Sequence, residues 1–443
     1  MIARNVYIET YGCQMNVADS EIVLSVLSEK EFIITDNPQI ADLILINTCS
    51  VRENAEQRVR GRLQVFNQIK KKRPGLLIGV IGCMAERLKE QLLEEEKMVD
   101  IVIGPDAYRE LPILVQIAES GHKAVNVLLS HEETYADINP VRLGTNKISA
   151  FISIMRGCEN MCTYCIVPYT RGSERSRNPE TIINEATMLF YDDYREIILI
   201  GQNVDSYKWV KENGDILSFA DLLIMVAEIH PDLRIRFATS HPKDLTDDVL
   251  LAMKNHENIC KSIHLPVQSG SDNMLNKMNR GYSKEWYLSR IDAINRIIPD
   301  CSLSTDIMVG FCDETEDDHS DTLKLMKSVI FDFAYMFKYS ERPKTYAARK
   351  FEDNIPEEIK VKRLNEVIEL QNRLSKKSKL SDIGKTYRVL VEGVSKKNSN
   401  ELFGRNSQNK VIVFPAENYK TGDYVNVEIK KCTSATLIGK CVG

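Results

Sequence analysis

The stretch "FISIMRGCENMCTYC" (residues 151–165) decides how this 443-residue chain is read. It opens as a strand, rich in Ile and Phe, and then turns at Gly157 into three cysteines. Cys158, Cys162 and Cys165 sit at spacings of four and three residues, with no fourth cysteine nearby. Random placement of the eleven cysteines gives about 0.007 such trios, so the spacing is not chance. Three readings compete. A zinc ion wants a fourth protein ligand or an open position, and no His or Cys follows at a short ligand spacing. A buried structural trio is the second. The third, a [4Fe–4S] cluster with three protein ligands, fits best, because three thiolates leave one iron free to bind a small molecule.

The same strand begins a longer series. From about 146 to 375 six strand-like runs alternate with polar helical stretches: "FISIMRGC", "EIILIGQN", "RIRFATSHP", "SIHLPVQSG", "SLSTDIMVGF" and "FDFAYMFKYS". Six βα units predict an open or partial barrel, with the site at the polar or small residues that end each strand. Residues 1–120 have a shorter βα rhythm, with strands "NVYIETYG", "DLILINTC", "LLIGVIGC" and "VDIVIG". Three of these end at Cys13, Cys49 and Cys83, 36 and 34 residues apart. Strand C-termini of an open parallel sheet share one edge, so the three cysteines should lie together there. Residues 121–145 read as a linker. The segment 357–378 reads as a charged helix with Leu364, Val367, Ile368 and Leu374 on one face. Beyond it, short strands between turn residues predict a small β-barrel. From Asp382 onward there are ten Lys or Arg and six Asp or Glu, so this end is basic although the whole chain carries a net charge of −5.

Composition limits the alternatives. A chain 43% hydrophobic and this long holds two or three domains. No apolar run reaches the length of a membrane span, and the N-terminus is polar within a few residues. An odd number of cysteines spread over a long chain points to a reducing cytosol, with clustered thiols serving metal or catalysis. Net charge alone does not predict nucleic-acid binding; "RVRGR" (58–62) and "RGSERSR" (171–177) are local basic patches, and solvated surface is the plainer reading of both.

The trio at 158–165, after the first strand of a partial barrel, resembles the radical S-adenosylmethionine (SAM) superfamily. "TYGCQMN" (10–16), "NTCSVRENAEQR" (47–58) and "GCMAER" (82–87) resemble the N-terminal domain of the methylthiotransferases, and the C-terminal barrel resembles the RNA-binding TRAM domain. "GCENMCTYCIVPYTRGSERSR" is most similar to the tRNA branch of that family, called MiaB. The resemblance covers nearly the whole chain. It implies an α/β architecture of three parts: an N-terminal parallel α/β domain at 1–120, a partial (βα)6 radical-SAM core at 146–376, and a small antiparallel β-barrel at 378–443. It implies two [4Fe–4S] clusters and SAM. Cys158, Cys162 and Cys165 would hold the SAM-cleaving cluster, and Cys13, Cys49 and Cys83 an auxiliary cluster that handles sulfur; no catalytic residue is expected beyond the clusters. The reaction implied is methylthiolation of C2 of N6-isopentenyladenosine, beside the anticodon at position 37 of tRNA. The chemistry agrees: an aromatic C2–H has no easily removed proton, so a carbon radical is needed. The sulfur needs a second cluster as carrier and the methyl group an electrophile, so SAM serves twice.

Further residues follow from the strand ends and family blocks. Gln202 and Asn203 in "LIGQNV", Ser240 with His241 in "TSHP", Gln268 and Ser269 in "LPVQSGSD", and Arg280 are expected at SAM, although Asn203 could serve as a helix cap. His264 reads as packed. Arg171, Arg175 and Arg177 lie close to the cluster loop in sequence and are candidates for tRNA. So are Arg405, Lys410, Phe403 and Tyr387 of the small barrel, where basic residues meet phosphates and aromatics stack on bases or else fill the core. Cys312–Asp313 stand where related sequences have Pro-Gly, and Lys344 where they have Gly, which puts loop geometry in question. Cys260, Cys301, Cys312, Cys432 and Cys441 read as core or surface thiols. Expected partners are tRNA carrying isopentenyladenosine in its anticodon stem-loop and an electron donor such as flavodoxin or ferredoxin, with a monomeric cytoplasmic protein and no membrane. Rival substrates are threonylcarbamoyladenosine in tRNA or a ribosomal-protein aspartate. A rival of another class is a non-catalytic RNA-binding module with structural metal.

Overall fold

The computed structural model of the protein describes residues 4–49, 53–143, 147–433 and 435–442. Residues 50–52, inside the block at 47–58, and 144–146, at the end of the expected linker, lie outside the described residues. Six strands form the N-terminal sheet: β1 (Arg4–Tyr11), β2 (Phe32–Ile34), β3 (Leu43–Thr48), β4 (Leu77–Ile81), β5 (Ile101–Ile103) and β6 (Ala124–Asn126). Their order is β2-β1-β3-β4-β5-β6, every pair parallel. A parallel sheet buries both faces, so its central strand should be apolar without alternation. β3 is: all six of its residues are buried. Helices Gln14–Ser28 and Leu111–Glu119 cover one face through Val23, Leu24 and Leu114. Helices Glu53–Lys72 and Cys83–Leu88 cover the other through Leu63, Phe66 and Met84. Each fully buried Leu or Ile here contributes about 1.5–3 kcal/mol.

Strand order reverses at β1, which has β2 on one side and β3 on the other. Such a switch point leaves a crevice beyond the strand C-termini, because the flanking connections leave in opposite directions. Cys13 follows β1, Cys49 follows β3 and Cys83 follows β4, so the fold delivers all three to that edge. The edge strands β2 and β6 have three residues each, too few for a readable pattern. β6 starts past residue 120 and pairs with β5, so the sheet extends into the stretch expected as linker.

The central domain has the six expected strands in sequence order. β7 (Ser149–Ser153), β10 (Glu196–Ile200) and β13 (Arg234–Phe237) are parallel, as are β14 (Ser262–His264), β15 (Ser302–Val309) and β16 (Phe333–Lys338). A parallel bridge between Ile235 and Ile259 joins the halves. The series is a partial barrel with β7 and β16 at its edges. β8 (Met155–Arg156) and β9 (Arg175–Ser176) pair antiparallel and bracket the cysteine loop; β11 (Lys208–Val210) and β12 (Ile216–Ser218) form a hairpin. Helix Glu357–Leu380 covers the β16 edge with Val367 and Leu374 buried and Leu364 and Ile368 half-buried.

The C-terminal strands β17 (Thr386–Val394), β18 (Glu401–Arg405), β19 (Val411–Pro415), β20 (Tyr424–Cys432) and β21 (Leu437–Cys441) close a barrel in the order β17-β18-β19-β21-β20. One detail departs from the expected all-antiparallel barrel: β19 and β21 pair parallel. β21 enters after β20 and can close the ring on β19 only in that direction. No helix among the described residues is long and apolar enough to cross a membrane.

Candidate active site

At the switch point, Gly12 (φ 131°) and Gly82 (φ 89°) let the backbone turn into the crevice. A Cβ on Gly12 would stand 2.7 Å from Cys49 Cβ, so only glycine lets Cys13 and Cys49 approach. The strand ends are tied by Asn16 and Asn47: Asn16 Nδ2 donates to Asn47 Oδ1, and Asn47 Nδ2 to Asn16 O, both at 2.8 Å. Cys13 Sγ stands 3.2 Å from Asn16 Oδ1. Its thiol is pushed down to about 6, first by a hydrogen bond with Cys49 and then, against burial, by the charge of Arg171. Burial pushes the Cys83 thiol up, opposed by Arg171. The ends of β1, β3 and β4 thus place Cys13, Cys49 and Cys83 along one sheet edge, where the charge of Arg171 from the central domain acts on Cys13 and Cys83.

The second trio hangs on a loop closed at both ends. Gly157 (φ 80°) could carry no side chain, because a Cβ would lie 1.9 Å from Ser173 O. Cys158 N donates to Gly172 O at 3.2 Å and Cys165 N to Cys162 O at 2.9 Å. Thr163 Oγ1 donates to Lys277 O at 2.9 Å, and Asn279 Nδ2 to Met161 O at 3.0 Å. Arg280, 5% exposed, reaches Cys162 Sγ at 3.2 Å, Tyr164 Oη at 3.3 Å and Pro266 O at 2.8 Å. Burial pushes the Cys158 thiol up to about 11 and the Cys165 thiol up to about 12. Among the described residues no three His, Cys, Asp or Glu side chains converge as ligands of one metal ion would. Three soft thiol donors in each trio are a ligand chemistry that an iron–sulfur cluster uses.

One cysteine of each trio lines a cleft of about 1670 Å³. Cys13 lines it from the N-terminal domain, Cys165 from the cluster loop, Gln268 and Asp306 from barrel strands, and Arg405 from the C-terminal barrel. That exceeds the roughly 300–1,000 Å³ of a single small-molecule pocket and leaves room for two ligands. Tyr335 and Phe337 present half-exposed rings along one wall, on the outward-alternating positions of edge strand β16. No sequence signal singled them out, since aromatic strand residues usually mean core.

The expected SAM residues divide. Gln268 lines the cleft with φ 71°, a left-handed backbone that a non-glycine residue adopts only under constraint. Asn203 Nδ2 donates to Asp244 Oδ2 at 2.7 Å, and its buried Oδ1 has no partner. Ser240 is buried beside Asp205, and His241 beside it has a buried Nε2 without a partner. Burial, then Arg280 and Lys243, push the His241 imidazole down to about 2, so it is neutral. Backbone N–H of Lys243 donates to Nδ1, which leaves the proton on Nε2 as a free donor. Gln202 instead accepts from Gly157 N and holds the loop. Ser269 is corrected: it is fully buried and bonded to Thr322 Oγ1 and Ser271 N, away from the cleft.

The expected RNA-facing arginines are also corrected. Arg171, Arg175 and Arg177 are 3%, 6% and 5% exposed. Arg171 pairs with Asp19 at 2.7 Å, Arg175 with Asp106 at 2.9 Å, and Arg177 with Glu185. Arg171 and Arg175 tie the central domain to the N-terminal one, Arg177 pairs within the central domain, and all three are held in buried ion pairs. Lys410 is likewise held between Asp332 and Asp382, at 3.0 and 2.8 Å. Tyr387 Oη donates to Asp382 at 2.6 Å. The Phe403 ring lies over Gly393, half-buried, while Arg405 faces the cleft and pairs with Glu392. His264, expected as packed, lines the cleft instead, 3.3 Å from Asp306. Cys312 packs with Phe311 and Tyr339.

Comparison with known proteins bears on this geometry. Residues 5–104 match the uncharacterized protein family UPF0004, residues 152–326 the Radical SAM superfamily, and residues 381–442 the TRAM domain. A tRNA-2-methylthio-N(6)-dimethylallyladenosine synthase of Amoebophilus asiaticus (strain 5a2) is 58% identical over 451 residues, covering 99% of this chain and 93% of its own. The protein of the same name from Bacteroides fragilis (strain ATCC 25285) is 55% identical over 437 residues, covering 99% and 95%. The chain belongs to the tRNA-2-methylthio-N(6)-dimethylallyladenosine synthase family. Among solved structures, the radical S-adenosylmethionine methyltransferase TsrM from Kitasatospora setae matches with a TM-score of 0.57 at 11% identity, covering 78% of this chain and 75% of that one. At that identity the likeness is one of fold. Membership of the family makes this a radical SAM enzyme, and that superfamily implies a [4Fe–4S] cluster and SAM.

Proposed function

We propose that this protein methylthiolates C2 of N6-isopentenyladenosine (N6-dimethylallyladenosine) at position 37 of tRNA, with SAM as methyl donor and as radical source. One observation carries the reading: Cys13 and Cys165, one cysteine from each of two separate trios, line a single cleft large enough for two ligands. Cys158, Cys162 and Cys165 would hold a cluster that supplies an electron to SAM, and Cys13, Cys49 and Cys83 a second [4Fe–4S] cluster that carries sulfur. The chain's own residues bind and orient. Arg280 fixes the cysteine loop against the barrel through Cys162 and Pro266 O. Asn203 Oδ1 and the Nε2–H of His241 supply an unpartnered acceptor and donor after the strand ends, suited to polar groups of SAM, and Gln268 lines the cleft. Tyr335 and Phe337 offer rings on which an unpaired nucleobase can stack, and Arg405 a cation for its phosphate.

The same proposal assigns the auxiliary cluster to residues 1–120, radical chemistry to 146–376 and RNA contact to 378–443. It takes the protein to be a monomer of the cytoplasm that draws electrons from a flavodoxin or ferredoxin. Relatives named for the dimethylallyladenosine product favour this nucleoside over threonylcarbamoyladenosine or a ribosomal-protein aspartate. The test is anaerobic reconstitution with iron and sulfide, then incubation with SAM, a strong reductant and tRNA bearing isopentenyladenosine. Nuclease digestion and mass spectrometry should reveal the methylthio nucleoside together with 5′-deoxyadenosine. 5′-Deoxyadenosine alone would keep the radical chemistry and reject the substrate; neither product from cluster-loaded protein would reject the enzyme.

A further inference from the structure

We propose that Asp306 determines which base the cleft accepts: its carboxylate takes the N6–H of the target adenosine while the base lies on Tyr335, and His264 positions that carboxylate. This rests on the reading of N6-isopentenyladenosine as substrate. Three carboxylates line the cleft, those of Glu196, Asp306 and Glu392. Glu196 holds Arg236 at 2.7 Å, and Glu392 holds Arg405. Asp306 pairs with no Lys or Arg among the described residues. Its Oδ1 stands 3.3 Å from His264 Nε2, and no N–H or O–H of the described residues donates to its other oxygen. The two side chains stay 26% and 23% exposed, open to a ligand in the cleft. His264 is itself fixed, with Nδ1 3.0 Å from Ser304 Oγ and its ring edge-on to that of Tyr335 at 5.7 Å.

Asp306 and Tyr335 are direct partners in the parallel pair of β15 and β16. Their side chains therefore stand next to one another on one face of the sheet, the face that lines the cleft. A carboxylate accepts hydrogen bonds and donates none. When a ligand closes over it, it loses its water, so a ligand that fits must bring a donor. The base of N6-isopentenyladenosine has a single N–H, at N6. A base stacked on the half-exposed Tyr335 ring turns its edge to the neighbouring strand, where Asp306 stands. An aromatic face combined with an edge hydrogen bond is how unstacked RNA bases are commonly read. Holding N6 fixes the rotation of the ring in its own plane, and with it the direction in which C2 points.

The experiment uses full-length, cluster-loaded protein and two anticodon stem-loops. One carries N6-isopentenyladenosine; the other carries the 6-O-isopentenyl ether of inosine, in which oxygen replaces N–H at the same place. Binding is read by fluorescence anisotropy, and turnover by mass spectrometry of the methylthio product. The unaltered protein should bind and convert the ether RNA about 10- to 100-fold less well, the loss of one hydrogen bond to a charged group. Asp306→Ala should bring the amino RNA down to the level of the ether RNA. Asp306→Asn, whose amide can accept or donate, should treat the two within about threefold. Tyr335→Leu should weaken both RNAs and keep their ratio. SAM binding, read by equilibrium dialysis, should hold throughout. Unaltered protein that does not distinguish the two RNAs overturns the proposal, and that arm needs no variant to fold. Loss of SAM binding in Asp306→Ala would put the carboxylate on the hydroxyl or amino groups of SAM, and also overturns it. No conversion of the isopentenyladenosine RNA by unaltered protein would instead remove the substrate reading on which the proposal stands.

Discussion

Asp205 follows β10 in the turn Val204–Ser206, enclosed on all sides, with His241 N donating to Oδ2 at 3.2 Å. Burial raises its carboxyl to about 7, and no cation opposes it. Between the ordinary aspartate range and about 7 the folded protein keeps a proton that the unfolded chain has lost. Stability therefore falls as pH rises through that window. Asp205→Asn should stabilise the metal-free protein by on the order of 3 kcal/mol at pH 8 and by clearly less at pH 5. Thermal melts of both proteins at the two pH values check this; a difference that does not grow with pH would mean the carboxylate has a cationic partner. The cysteines were legible one by one because their chemistry depends on spacing, and spacing is what a sequence records. Arg171, Arg175 and Arg177 were not. A basic run looks alike whether it faces water or, as here, buried carboxylates, two of them from the N-terminal domain. Asp19, six residues past Cys13, is the partner that no local pattern announces.

Strands and turns read differently from side chains. All six barrel strands and four of the six sheet strands were visible, since each carries an apolar run bounded by polar or small residues, even β16, whose rings stay half-exposed. β2 and β6 escaped because three residues on a sheet edge show no period. The two departures from the family pattern turn out to mark backbone rather than contact. Asp313 has φ 59° and Lys344 φ 73°, both left-handed, at positions where related sequences have glycine. An L-residue there costs roughly 1–2 kcal/mol, partly offset because glycine loses more freedom on folding. Asp313 recovers some of that through Lys277 and Asn354. Lys344 is exposed; its Nζ donates to Arg87 O at 3.2 Å and its charge acts on Glu86. Lys344→Gly should therefore raise stability by about 0.5–1 kcal/mol, a melting shift of about 1–2 °C for a chain of this size. A lower midpoint would show that the Arg87 contact outweighs the strain.

At the scale of the molecule, the C-terminal barrel is docked onto the core. Arg234 Nη1 donates to Arg405 O at 2.6 Å and Arg236 Nη2 to Asn406 O at 2.7 Å, from the central strand β13 to the loop after β18. Arg405 at the end of β18 and Asn409 of the loop after it line the cleft, so the C-terminal barrel forms part of the site's wall. This docking could not be read from sequence, because Arg234 and Arg236 lie within a strand that otherwise looks like core. Lys410 adds a clamp, its ammonium shared by Asp332 of the core and Asp382 before the barrel. Burial would raise the Asp332 carboxyl, yet Lys410 and Ser378 hold it below its ordinary range. Lys410→Met keeps the aliphatic stem but leaves two enclosed carboxylates without their cation, which costs on the order of 3 kcal/mol. Because the lost contacts are local, the loss should fall on the docked barrel and not on the N-terminal sheet. Calorimetry should resolve a C-terminal transition moved to lower temperature, and limited proteolysis should cut first after the helix Glu357–Leu380. A single transition lowered as a whole would mean that Arg234 and Arg236 already lock barrel and core into one cooperative unit, and that the clamp stabilises both together.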